Sequence, residues 1–469
     1  MRSWLGLLAV LGPVLLVSMD GSILFLAMPR ISRELTPTAD QALWILDGYG
    51  FAVGSLLIAF GNLGDRYGRL KLLMIGTAAF GAASAAAAFA PDAGLLIAAR
   101  LLMGVAGATL LPSALAVLSE LFTDPGHRAR AIGIFAATFA AGFAVGPIAG
   151  GLLLERFWWG SVFLINLPVV VLFLLAAPVV LREVRARRPG GVDALSVVTS
   201  AAGLLLAGYA VKHTAAEGLA AGPVALGVAG VVLLGWFVRR QRLLAHPLID
   251  FALFRDRVFT VAIITGLLPL AAWSATAYLA GGYLQSVLGL AVLDAALLAL
   301  PGAAVLILTC VVTPHVVERI GRRTALILCH FAIAAGLLLL LPGGVGWYVA
   351  STVVAGLGYG LSFSVVADTA VGAVPVERAG AAGAIAETGN ELGNALGIAV
   401  FGSLAVLVFR LQGPDLAPTL AETLRLPGLA AAAAEEAKAA FVTGLRVVAA
   451  VAAGLHAALG VLTLRWLPR

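Results

Sequence analysis

The sequence predicts an all-α integral membrane protein of about fourteen transmembrane helices, built as two six-helix bundles with two further helices inserted between them. The first observation behind this is composition. Of 469 residues, 61% are hydrophobic and only 12% are charged, with a mean hydropathy of +1.04. A soluble domain of this size carries about a quarter charged residues, so the surface here is too apolar for water and the remaining solvent is lipid. The second is length: apolar runs of the roughly 20 residues that span a bilayer recur from one end of the chain to the other. The third is that basic residues gather in alternate connections.

Taken in order, the spans are expected over 5–28, 42–63, 70–90, 94–119, 128–153, 159–181 and 191–213. They continue over 219–241, 257–283, 294–317, 323–342, 346–372, 379–410 and 443–466. The first run is too long for the apolar region of a cleaved signal, and Asp20 interrupts it, so it reads as a span. The span over 128–153 contains "GIFAATFAAGFAVGPIAGG" (133–151). Its glycines and Pro147 would weaken a helix in water, but in lipid an unsatisfied backbone group costs several kcal/mol and the helix persists. Lys212 and His213 are expected to mark a helix end, and Asp294 to cap the start of the next hairpin. The segment 411–440, with "GPDLAP" and "LAAAAAEEAKAA", is expected to be an exposed loop carrying a short amphipathic helix.

The connections "GDRYGRLK", "DPGHRARA", "REVRARRPGG", "RRQRLLAHPLIDFALFRDR", "ERIGRR" and "VERAG" fall on one side if the spans alternate. They hold most of the 30 Lys and Arg, which places that side, and both termini, in the cytoplasm of a cell-membrane protein. The net charge of +6 is thereby assigned to topology and not to nucleic acid. "GDRYGRLK" (64–71) is echoed by "VERIGRR" (317–323), both reading acid–Arg–x–Gly–Arg. Such a repeat divides the chain into a bundle over 1–185, an insertion over 186–250 and a second bundle over 251–469, a known transporter plan. Cys310 and Cys329 lie in apolar runs and read as small buried hydrophobes. The six histidines are scattered, and no HExxH, CxxC or phosphate-binding loop occurs. No metal, cofactor or enzymatic activity is therefore expected.

On these residues the chain resembles the major facilitator superfamily throughout its length, and within it the 14-helix drug:proton antiporters. "GNLGDRYGRLK" (61–71) is similar to the signature between the second and third helices, with Asp65, Arg66, Gly68 and Arg69 in place and Leu70 where a second basic residue is common. The 133–151 stretch resembles the antiporter signature of the fifth helix, with Gly133, Gly142, Gly146, Pro147, Gly150 and Gly151. "RLLMGVAGA" (100–108) and "MDGSILFLAMP" (19–29) resemble the signatures of the fourth and first helices, with Met103 and Phe25 replacing the usual polar residues. "LWILDGYG" (43–50) and "AETGNELGNALG" (386–397) look most like the quaternary-ammonium and dye exporters. The resemblance implies proton-driven multidrug efflux by alternating access, with small lipophilic cations and protons as ligands, the bilayer as surroundings and a monomer as the working unit. It also implies that Asp65, Arg66 and Arg69 form a charge network between helices.

Ionisable residues inside spans cost about 2.5–3.5 kcal/mol each and usually pair or line a cavity. Asp20 and Arg100, at similar depth, are expected to handle the coupling proton, or else to form a static salt bridge. Glu387 and Glu391, at i and i+4, are expected on one helix face near the membrane centre, and the resemblance implies that they face Asp47 at the binding cavity; the alternative is hydrogen bonding with Asn390 and Asn394. Glu391 is a candidate for both coupling and substrate binding. Asp368 reads equally well as part of a helix-end network. The stripe Gly142, Gly146 and Gly150, with Pro147 permitting a kink, lets helices approach closely; the resemblance implies that it meets the opposite bundle where the two halves seal and part, the alternative being static helix packing. Trp273, Tyr359 and Phe139 are candidate cavity aromatics, with Tyr278, Tyr283, Phe135 and Phe363 behind them. Export of a neutral, zwitterionic or anionic metabolite or self-made antibiotic is the alternative, opposed by carboxylates in the cavity. A membrane enzyme or receptor is a distant third.

Overall fold

The computed structural model describes residues 2–183, 193–245, 247–374 and 379–466. Among them there is no β-strand. The first helices are α1 (Arg2–Leu35), α2 (Ala39–Tyr67), α3 (Arg69–Ala88), α4 (Ala93–Gly107), α5 (Leu110–Leu121) and α6 (Pro125–Arg156). α7 (Ser161–Leu164) and α8 (Asn166–Val180) follow, then α9 (Ala194–Glu217) and α10 (Ala221–Gln241). The remainder comprises α11 (Arg257–Gly282), α12 (Val292–Leu297), α13 (Leu300–Ile320), α14 (Arg322–Leu338), α15 (Val345–Gly372), α16 (Ala379–Gly397), α17 (Ser403–Gln412), α18 (Leu420–Thr423) and α19 (Ala431–Trp466). Each expected span coincides with one of these helices or with consecutive pieces. Eleven are long and apolar enough to cross a membrane; the helices over 39–67, 322–338 and 345–372 lie outside that set.

Local chemistry sets the ends. Thr38 and Gln41 form a reciprocal capping box at α2, and Asp92, Asp124 and Asp256 each accept a backbone N–H at the start of α4, α6 and α11. Asp294 does not cap its helix. α12 starts at Val292, so Asp294 lies within the first turn, where its charge still favours the helix dipole. α9 runs on past His213 to Glu217, and His213 stacks on Tyr209. The 411–440 segment is also corrected. Its second half is the beginning of α19, because alanine is the best helix former and Glu435 pairs with Lys438 at 2.8 Å. Its first half holds α18, with Leu420 and Thr423 buried.

Buried side chains form two main clusters, one drawn almost wholly from residues 10–181 and one from residues 271–453. Ala140 joins the second and Ala296 the first. The α9–α10 hairpin packs through α9 on α2 and α17; a Cβ at Gly208 would stand 2.7 Å from the Phe51 ring. Its base is tied by Arg240, whose Nε and Nη2 donate to Asp193 at 2.7 and 3.1 Å. Those bonds hold the Asp193 carboxyl down at about 2.

The closest helix contact disagrees with the expected role of the glycine stripe. Gly142, Gly146 and Gly150 face α1 of their own cluster and not the opposite half. A Cβ on Gly142 or Gly146 would collide with the Ser18 or Ser22 hydroxyl, and one on Gly150 would lie 2.7 Å from Ile23. Both hydroxyls are turned back onto α1 carbonyls, Ser18 to Val14 at 3.0 Å and Ser22 to Met19 at 3.2 Å, which flattens the face α6 rests on. It is Gly151, one step round the helix, that touches the other half, at Leu293. The same device recurs in α16, where a Cβ on Gly393 or Gly397 would fall on the backbone of Leu267 or Ala271 in α11.

Candidate functional site

Two features share α1, on different faces. On one, Asp20 Oδ2 receives a hydrogen bond from Arg100 Nη1 of α4, both side chains being 1% exposed. Arg100 Nε donates to Ile45 O of α2 at 3.1 Å, and its guanidinium lies 4.9 Å from the Tyr49 ring centroid. Gly104 and Gly107 of α4 leave the room that Tyr49 occupies, since a Cβ at Gly107 would sit 2.9 Å from the Tyr49 hydroxyl oxygen. Sequence reasoning singled out Asp20 and Arg100 but not Tyr49, whose aromatic face supplies a cation–π contact. Asp20 Oδ1 has no hydrogen-bond partner among the described residues. The carboxylate can therefore accept a proton at Oδ1 while Oδ2 stays on Arg100. A buried pair of this kind adds little net stability, but removing one partner costs about 3–5 kcal/mol.

The other face of α1 lines a cavity of about 140 Å³ through Ser22, Phe25 and Leu26. Phe143 and Pro147 of α6, Trp273 and Thr276 of α11, and Tyr348 and Tyr359 of α15 contribute to its wall. Its volume is close to that of a cavity that holds benzene in another protein. The rings run across the two clusters: Phe363 is 6.3 Å from Phe139, Phe139 is 5.4 Å from Phe143, and Phe143 is 6.5 Å from Trp273. Trp273 stands perpendicular to Tyr359 at 4.8 Å. The buried Tyr359 hydroxyl has no hydrogen-bond partner. Below it a second, smaller pocket is lined by Tyr359, Phe363 and Asn390.

Trp273 and Tyr359 line the cavity, whereas other candidate aromatics do not. Phe139 is not among the described lining residues and reaches the cavity only through Phe143. Phe135 packs with Leu7 and Leu118. Tyr278 pairs with Phe25 at 6.5 Å, and Tyr283 accepts a bond from Gly344 N at 2.7 Å. No carboxylate lines the cavity among the described residues. Asp47 is buried, and Glu387 accepts a long bond from Asn390 at 3.4 Å, as the hydrogen-bonding alternative had it. The two do not face each other. α2 and α16 meet at Gly54 and Leu392, and the acids lie on opposite sides of that contact, about 18 Å apart along the axes at ~1.5 Å per residue. Asn394 bonds Ser274 of α11. The side chains of Asp65, Asp368 and Glu391 lie outside the described residues.

At the end of the bundle that carries the basic connections, Gly68 has φ +115°, and a Cβ there would come within 2.5–2.7 Å of the Glu183 carboxylate. Glu183 accepts from Leu70 N at 3.0 Å and Lys71 N at 3.1 Å, capping α3. Only glycine meets both conditions. Gly321, its echo, also has positive φ, +79°. Arg66 is exposed and lies over Tyr67 at 5.5 Å. Glu183 went unnoticed in the sequence, where it looks like one more charge in a basic connection.

A family model described as Major Facilitator Superfamily matches residues 13–398. The chain is 38% identical over 476 residues to the multidrug efflux pump LfrA of Mycolicibacterium smegmatis, an alignment covering 97% of this chain and 94% of that protein. It is 33% identical over 409 residues to the methyl viologen resistance protein SmvA of Salmonella typhimurium, covering 86% and 82%. In fold it is similar to a bacterial homologue of the human lysosomal transporter Spinster, solved inward-facing and unoccupied, with TM-score 0.65, 17% identity, and coverage of 100% of this chain and 99% of that one.

Proposed function

The chain belongs to the Major Facilitator Superfamily and is a membrane transporter rather than an enzyme, and on that premise we propose that it exports lipophilic cations in exchange for protons by alternating access. The observation that carries this reading is the division of labour on α1: a buried Asp20–Arg100 pair on one face and an aromatic cavity on the other. Asp20 takes up the proton. Trp273, Phe143 and Tyr359 hold the passenger by ring faces, each worth about 0.5–2 kcal/mol toward a cation. α1 connects the two, and the glycine stripe of α6 transmits its shifts. The bundles over 1–185 and 251–469 move against each other with the 186–250 insertion alongside. Asp65, Arg66 and Arg69 brace the basic end. The protein works as a monomer in the cell membrane with both termini in the cytoplasm, and no cofactor takes part. A potential of 100 mV supplies about 2.3 kcal/mol per charge moved.

The similarity to pumps named for multidrug efflux and methyl viologen resistance supports lipophilic cations as substrates. A second reading, export of neutral or anionic aromatic compounds, is favoured by the absence of charge among the described cavity residues. Everted vesicles energised by respiration and loaded with a pH-reporting acridine separate the two. The primary reading expects a permanent dye cation to release protons through the wild-type chain and not through Asp20→Asn. If only neutral or anionic compounds release them, the second reading holds. If Asp20→Asn exchanges protons as well as the wild type, the role given to Asp20 is wrong.

A further inference from the structure

Far from both features of α1, two histidines that looked scattered in the sequence meet. His330 of α14 and His456 of α19 are 0% and 1% exposed, and their Nδ1 atoms lie 3.2 Å apart. With one donor and one acceptor at that distance, one ring carries Nδ1–H and the other offers its Nδ1 lone pair. In the donor ring Nε2 is then a bare lone pair, while in the acceptor ring it is an N–H. Neither Nε2 has a hydrogen-bond partner among the described residues. Buried unsatisfied groups are costly, and such groups call for a functional reason.

We propose that the His330–His456 pair is a binding site for a single proton, separate from Asp20. The proton adds to the bare Nε2 of the donor ring. That ring becomes an imidazolium, and its Nδ1–H bond to the partner becomes charge-assisted and stronger. A second proton has no lone pair to enter, because the acceptor Nδ1 is already engaged and its Nε2 is already protonated. The chemistry of the pair limits it to one.

The pair sits in a seam whose ends are fixed. Arg323 Nη2 of α14 donates to Leu464 O of α19 at 2.5 Å toward the basic end, and Arg446 of α19 donates to Pro342 O at 3.5 Å toward the other. Among the described titratable side chains, Cys329 stands beside the pair on α14, α15 lays Gly358 against Cys329 while its Tyr359 turns to Trp273, and α13 presents Cys310 to Gly360 of α15. α11 brings Val258 and Val261 to this region, and Arg410 of α17 and Arg465 of α19 lie near helix ends. No described side chain supplies a counter-charge at the pair, so occupancy depends on how far the middle of the seam opens. α14 also carries Leu337, which lines the cavity together with Leu340 just beyond the end of the helix. Proton occupancy at the seam therefore bears on the cavity wall.

The test uses the full chain in detergent without substrate, so it is independent of export. Protons taken up on acidification from about pH 7.5 to about pH 3, a range wide enough to take in an imidazole away from its ordinary value, are counted for the wild type and for a His330→Gln/His456→Gln variant. One more proton per chain in the wild type is expected. A difference of zero, an inert structural pair, or of two, independent imidazoles, overturns the proposal. If the variant does not fold, nitrogen-15 histidine spectra of the unmodified chain decide. Two rings coupled through Nδ1 that change together in one step support the site, and uncoupled rings contradict it.

Discussion

Asp20 and Arg100 illustrate how much a single residue in a membrane can disclose. A charge in an apolar run is costly enough to need a partner, and the chain offers few, so the pairing was legible before any coordinates. The partner's own support was not. Tyr49 and the Ile45 carbonyl come from α2, and nothing in the sequence ties them to position 100. The same holds for His330 and His456, 126 positions apart, and for Glu183 and Leu70, 113 apart. The cavity aromatics make a residue-scale prediction. Trp273→Ala should weaken binding of a lipophilic dye cation by about 2- to 30-fold, the equivalent of ~0.5–2 kcal/mol, measured by fluorescence titration. An unchanged affinity would remove Trp273 from the site.

At the scale of elements, periodicity revealed a glycine stripe on α6 but not what lies against it. Spacing fixes which residues share a helix face, whereas the choice of neighbour is a property of the assembled bundle. α1 wins because Ser18 and Ser22 present short side chains folded onto their own backbone. Gly142→Ala places a Cβ against Ser18 and should cost about 1–3 kcal/mol of packing, lowering the thermal midpoint and the transport rate together. Ser18→Gly in the same chain removes the collision and should restore part of both; no restoration would mean the α1–α6 contact is not what the stripe serves. The α9–α10 hairpin depends on its base. The folded Asp193 carboxyl titrates at about 2, below its ordinary 3.8, so the Arg240 pair contributes fully above the ordinary value and is lost only as pH falls through about 2. Amide exchange at the hairpin base should therefore be as slow at pH 5 as at pH 7, once corrected for intrinsic rates, and faster in Asp193→Asn at both. The Ala-rich start of α19 reads in the sequence as a short amphipathic helix within an exposed loop, yet it is continuous with the last long helix, where alanine propensity and the Glu435–Lys438 pair extend it.

For the whole molecule, membrane immersion, helix order and the repeat between the two halves were all written in composition, run length and the twice-used acid–Arg–x–Gly–Arg connection. Positive φ at both Gly68 and Gly321 repeats that echo in the backbone. The chemistry of the cavity was not written there. Asp47 and Glu387 are not among the described residues that line it, and rings from α6, α11 and α15 bridge the two clusters. On the proposed reading, passenger and proton occupy different places, linked through α1 and its contact with α6. Proteoliposomes given only an inward-directed gradient of a permanent lipophilic cation test that linkage most directly. Cation uptake should drive protons out of the lumen through the wild-type chain and should be uncoupled from proton movement in Asp20→Asn. Cation flux through the wild type with no proton counterflow, or equal counterflow in Asp20→Asn, would contradict the account.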